Sequence, residues 1–165
     1  MIDGDENNAL LSINLQLQMK KIFFAAALFT AIHATAQSDN NQQADAVLHI
    51  WETQEKDGKM QILKSGDIYY GKMIYGKDLL EADSVTYKKD IHNPDTALRS
   101  GSLKDFTLIS GLIYKDGKWV NGKLYYYQDG NSYDVNLEVR DGALYMRVYK
   151  GIPMFGKTVK WNLVE

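Results

Sequence analysis

Few residues in this chain are equipped for chemistry. Histidine occurs at three positions and cysteine at none, which removes disulfides, thiolate zinc sites, iron–sulfur clusters, cysteine nucleophiles and thioether lipid anchors together. His33 lies in a segment expected to be cleaved, so His49 and His92 are the remaining imidazoles. A serine nucleophile would need a histidine oriented by an acid, and no Gly-x-Ser-x-Gly string occurs. The carboxylate pairs Glu52/Glu55 and Asp129/Asp134 fall on wet strand positions and turns, where acids serve solubility rather than general acid–base work. No catalytic residue and no enzymatic activity is expected.

The densest donor cluster is Asp90, His92, Asn93, Asp95 and Arg99. It offers one imidazole, which is poor for a metal, while Asn93-Pro94-Asp95 has the order of a helix cap, a proline at the first helical position and an acid near the positive end of the dipole. The expectation is therefore a cap and a lock, with Arg99 holding an Asp side chain bidentately, and neither a metal nor a cofactor. Tyrosine is the richest chemical resource, at 69, 70, 75, 125, 126, 127, 145 and 149. Consecutive tyrosines face opposite sides of a strand, so an outward band could cover a partner or a polysaccharide, or could simply pair across strands.

Composition bounds the rest. The 165 residues are 45% hydrophobic and 24% charged, as in a one-domain soluble protein. Nineteen basic against 21 acidic residues leave a charge of -2, too balanced to draw in nucleic acid or an anionic membrane by long-range field. Residues 19–36, MKKIFFAAALFTAIHATA, place Lys20 and Lys21 before an apolar stretch from Ile22 to Ile32, with small residues at Ala34 and Ala36. This is the pattern of a secretory signal peptide, and its apolar part reaches only about half the ~30 Å of a bilayer core. Residues 1–18 are acidic where a signal should be basic, so they are read as an upstream extension ahead of a start at Met19, or as an extension that is retained. Cleavage after Ala36 would leave a polar leader, 37–45, expected to be disordered, ahead of a domain at 46–165. A periplasmic or secreted monomer without a transmembrane segment is expected.

Turn signals punctuate that domain at Asp57-Gly58, Ser65-Gly66, Asp116-Gly117, Asp129-Gly130 and Asp141-Gly142. Between them the sequence predicts eight strands: 46–53, 59–64, 68–75, 106–114, 118–127, 132–140, 143–150 and 157–164. Alternation is clearest where Tyr133, Val135, Leu137 and Val139 share one face against Asp134, Asn136, Glu138 and Arg140, and where Leu144, Met146 and Val148 oppose Tyr145, Arg147 and Tyr149. A long meander leaves two edges and an apolar face unless it closes, so the fold class is all-β, an eight-stranded antiparallel up-and-down barrel. The interval 76–105 is the one long connection; it is expected to carry a short helix at 94–100 and to act as a lid.

NPDTALR (93–99), KWVNGKLY (118–125), DGNSY (129–133), LYMRVYKG (144–151) and FGKTVKW (155–161) occur in one order. That ordered set resembles the bacterial family known as domain of unknown function 2147, over about 47–164. The resemblance implies an exported, lipocalin-like or calycin-like barrel and no established activity. The chain departs from the family with His49 where a glycine precedes the first-strand Trp51, with Tyr125-Tyr126-Tyr127 in place of Tyr-Asp-Pro, and with Val148 inside the Arg-Gly-Tyr triplet. The His-x-Trp start is also similar to the Gly-x-Trp of lipocalins, which implies that Trp51 closes one end of the barrel beneath a cation, Arg147 or Lys160.

An eight-stranded barrel can hold one small ligand or be filled by its own side chains. On the first expectation this is a non-enzymatic binding protein taking a small apolar or amphipathic molecule against Tyr70, Trp119, Tyr133, Leu137 and Met146. On the second, the barrel is solid and its tyrosine-rich surface docks an envelope protein or glycan.

Overall fold

The structure, a computed structural model, describes residues 42–164. The expected upstream extension (1–18), signal peptide (19–36) and most of the leader (37–45) lie outside the described residues. Eight antiparallel strands close into a barrel in sequence order: β1 (Ile50–Thr53), β2 (Gly58–Ser65), β3 (Ile68–Gly76), β4 (Thr107–Lys115), β5 (Lys118–Tyr126), β6 (Asn131–Arg140), β7 (Ala143–Tyr149) and β8 (Lys157–Leu163). The seam is the β1–β8 pair, with Trp51 opposite Leu163 and Thr53 opposite Trp161. Closure leaves no strand edge unpaired.

Up-and-down order sorts the connections between two ends. At one end lie three tight turns, β2–β3, β4–β5 and β6–β7. Asp116 and Gly117 have φ of 50° and 81°, and Asp141 and Gly142 have 52° and 70°, the paired positive values of a type I′ hairpin turn whose twist matches the strands it joins. At the other end lie the β1–β2 turn, the long 77–106 connection, the β5–β6 turn and the β7–β8 loop.

The tight-turn end is closed. Residues 46–49, expected as the start of the first strand, instead turn across this end, so β1 has only four residues. Val47 is buried, and the indole N–H of Trp51 donates to its carbonyl at 2.9 Å. The last leader residues, 42–45, form a helical turn whose Ala44 is buried and accepts from Trp119 Nε1 at 3.1 Å. Asp45 receives Lys64 Nζ at 2.7 Å and Tyr69 OH at 2.8 Å, and these bonds hold its carboxyl below the ordinary range. The packed domain thus begins at Ala44 rather than Ala46. Above this plug Met60, Ile62, Tyr69, Ile109, Leu112, Trp119, Leu137 and Leu144 fill the lower half of the barrel.

The short helix expected at 94–100 is a single 3-10 turn, Thr96–Leu98. The long connection has another at Lys77–Leu79 and two isolated bridges, Leu80 with Tyr87 and Lys89 with Ser102. Asp95, not Asn93, caps the Thr96–Leu98 turn by accepting from Ala97 N at 3.0 Å. Among the described residues no helix is long and apolar enough to cross a membrane.

Candidate functional site

The upper half of the barrel is hollow. A cavity of about 700 Å³ opens at the long-loop end, within the size range of small-molecule sites. Its walls come from inward-facing strand positions: Met73 of β3, Leu108 of β4, Leu124 of β5, Tyr133 of β6, Met146 and Val148 of β7, and Val159 and Trp161 of β8. Polar groups, among them Thr53, Asp57, Asp78, Gln128, Lys150 and Lys157, are the contribution of the strand ends and loops. The result is an apolar chamber with a polar rim.

That wall includes the Trp161 ring. Trp161 is buried, and its indole N–H has no hydrogen-bond partner among the described residues. A buried donor left unpaired costs roughly 1–3 kcal/mol, and this nitrogen is shielded from the chamber as well as from solvent. Alternation in β8, where Val159 and Trp161 share a face between the polar Thr158, Lys160 and Asn162, is the signal that could have named Trp161 from sequence.

The long connection is a wall of the mouth. It supplies Asp78, Leu79 and Phe106 to the lining, and it is bonded to the rim. Tyr125 OH donates to Asp90 Oδ1 at 2.7 Å, and Asn93 Nδ2 donates to the other oxygen of Asp90 at 2.7 Å. The Phe106 ring packs edge-on against Tyr125 and Tyr127, and Tyr127 OH donates to the Asp78 carbonyl at 3.2 Å. The His92 carbonyl approaches Gly130 so closely that a Cβ at 130 would collide with backbone, and Gly130 also has a φ of 71°; only glycine suits the β5–β6 turn here. A second hollow of about 530 Å³ lies within the connection and shares Tyr127 and Gln128 with the first.

Burial, then the bond to Asp90, pushes the Tyr125 phenol above the ordinary tyrosine value of 10.0. The folded protein therefore keeps a proton that the unfolded chain releases, so this contribution is whole below about pH 10 and is lost as pH rises beyond it. Replacing Tyr125→Phe is expected to flatten the alkaline fall of stability. Urea denaturation at about pH 9 and about pH 11 checks it; Tyr69, raised chiefly by burial, leaves a residual slope.

Of the residues expected to bind ligand, Tyr133 and Met146 line the cavity. Trp119 and Leu137 face inward but lie in the filled half, where Trp119 packs against Tyr69 and Tyr114 with ring centroids at 6.2 and 5.1 Å. Tyr70 does not face inward: Tyr69, Gly71 and Met73 are the buried positions of β3, and Tyr70 is on the outer face. Trp51 is buried with its indole N–H on the Val47 carbonyl, and Arg147 is not above it. Arg147 is on the outer face of β7 and donates to the carbonyls of Pro153 and Met154, both at 2.9 Å, and to Thr158 Oγ1 at 3.0 Å. Lys160 is likewise on the outward parity of β8, opposite Tyr145. The expected bidentate lock is also absent: Arg99 Nε donates to the Asn93 carbonyl at 2.8 Å, while Asn93 Oδ1 accepts from Asp95 N at 2.9 Å. Those three residues brace the loop from within, and Asp90 ties it to the barrel. Among the described residues no group of three His, Asp or Glu converges as a metal site.

Comparison with known proteins agrees with this geometry. Residues 50–162 match a family of uncharacterized proteins conserved in bacteria, DUF2147. Among solved structures the chain is similar to protein HP1028 from the human pathogen Helicobacter pylori, described as belonging to the lipocalin family. The two are 26% identical, the match covers 72% of this chain and 83% of that one, and the TM-score is 0.62. No curated protein matches. The chain belongs to the bacterial DUF2147 family and folds as a lipocalin-like barrel.

Proposed function

We propose that this protein is a non-enzymatic binding protein of the bacterial envelope or exterior that carries one small amphipathic molecule in its barrel. The cavity carries the reading: an apolar chamber of about 700 Å³ with a polar rim that includes Lys150 and Lys157 suits a hydrocarbon body bearing a polar head, such as a fatty acid or lipid fragment. Location outside the cytoplasm rests on the signal-like pattern at 19–36. A solid barrel, the premise of the docking alternative, describes only the plugged half.

Binding of a fluorescent long-chain fatty acid tests this. Failure of the wild-type chain to bind any such probe would sink the reading.

A further inference from the structure

The β7–β8 loop presents three large apolar side chains close together in sequence. Ile152, Met154 and Phe155 are 57%, 74% and 79% exposed, at the same end of the barrel as the cavity mouth. Exposure of this kind normally comes with a mobile loop, yet here the backbone is held. Pro153–Phe155 form a 3-10 turn, and the Arg147 guanidinium clamps the carbonyls of Pro153 and Met154. A fixed display of three large apolar side chains calls for an apolar medium to receive them.

Charge identifies the medium. From Gly142 to Val164 the sequence contains Arg147, Lys150, Lys157 and Lys160 and no acid. Lys150 and Lys157 are exposed on either side of the apolar tip. The Asp134 carboxylate, which also accepts from Gly151 N, is already paired with Lys123. Three side chains offer far less area than the roughly 1,200 Å² that a stable protein–protein interface buries. A bilayer accepts so small a wedge, with flanking cations on its anionic headgroups adding to the attraction.

We propose that the β7–β8 tip is a membrane-docking element: Ile152, Met154 and Phe155 enter the leaflet of an anionic bilayer, and Lys150 and Lys157 rest on its headgroups. Phe155, Lys150 and Lys157 also line the cavity, so docking sets the mouth against the lipid. The docking stands whether or not the cavity is loaded.

The absence of cysteine permits a site-specific test in the full chain. Met154→Cys, labelled with an environment-sensitive fluorophore, is titrated with vesicles of phosphatidylglycerol and phosphatidylethanolamine, and with phosphatidylcholine vesicles. Asp116→Cys, at the opposite end, is the labelled control. The expected result is a blue shift and a several-fold rise in emission at 154 with the anionic vesicles and none at 116. Adding Lys150→Gln and Lys157→Gln should raise the lipid concentration for half-response about fivefold per lysine. Silence at 154, or an equal response at 116, overturns the proposal. So does a response at 154 that needs unlabelled copies of the chain or an envelope protein fraction instead of lipid.

Discussion

Trp119→Ala is expected to destabilise the barrel by about 3–5 kcal/mol, the range for removing a fully buried large aromatic side chain. Trp119 is 2% exposed and joins three parts of the closed half. Its ring meets Tyr69 and Tyr114, its backbone pairs with Leu137 across β5–β6, and its indole N–H reaches the Ala44 carbonyl. Truncation leaves a cavity where density was native-like and leaves a buried carbonyl without its donor. The loss should therefore be larger than for an exposed aromatic such as Tyr126, whose removal should change stability by less than about 1 kcal/mol. Chemical denaturation of both variants measures the contrast. A Trp119→Ala loss below about 1 kcal/mol would contradict the account of a packed plug.

Met146→Trp acts on the other half and should have the opposite profile. Met146 is buried, sits between Leu137 and Val159 in the ladder, and forms part of the cavity lining. A larger ring there projects into open space, so the overpacking cost of a filled core is largely avoided. Ligand affinity should fall about a hundredfold or more, ~2.7 kcal/mol, because the lower part of the chamber is occupied. Titration with the fluorescent fatty acid, alongside a denaturation curve, separates lost binding from lost fold.

Strand order and most strand ends were legible because Asp-Gly turns punctuate the chain and because β6 and β7 alternate cleanly between apolar and polar residues. β3 was harder. Two tyrosines in a row carry no facing information, and the inward face is interrupted by Gly71; only Lys72 and Met73 further along fix the parity that turns Tyr69 in and Tyr70 out. Arg147 illustrates a consequence left undrawn at the level of sequence: with Leu144, Met146 and Val148 inward, it must face outward and cannot cover an indole inside the barrel. Trp119 and Leu137 were assigned the right face, but depth along the barrel depends on which end is plugged. That depends on residues 44–49, whose composition resembles a polar leader running into a strand. Asp90 was named within the loop cluster, but its partner, Tyr125, is 35 positions away, a separation no local pattern encodes.

The central claim is that the upper half of this barrel holds one amphipathic molecule. Native mass spectrometry of the gently purified protein from a bacterial host, beside its Met146→Trp variant, tests it most directly. The account predicts a reproducible added mass on the wild-type chain, identified as a single lipid-like molecule bearing a polar head, and its loss from the variant. A bare mass for both proteins, unchanged after incubation with envelope lipid extract, would contradict it.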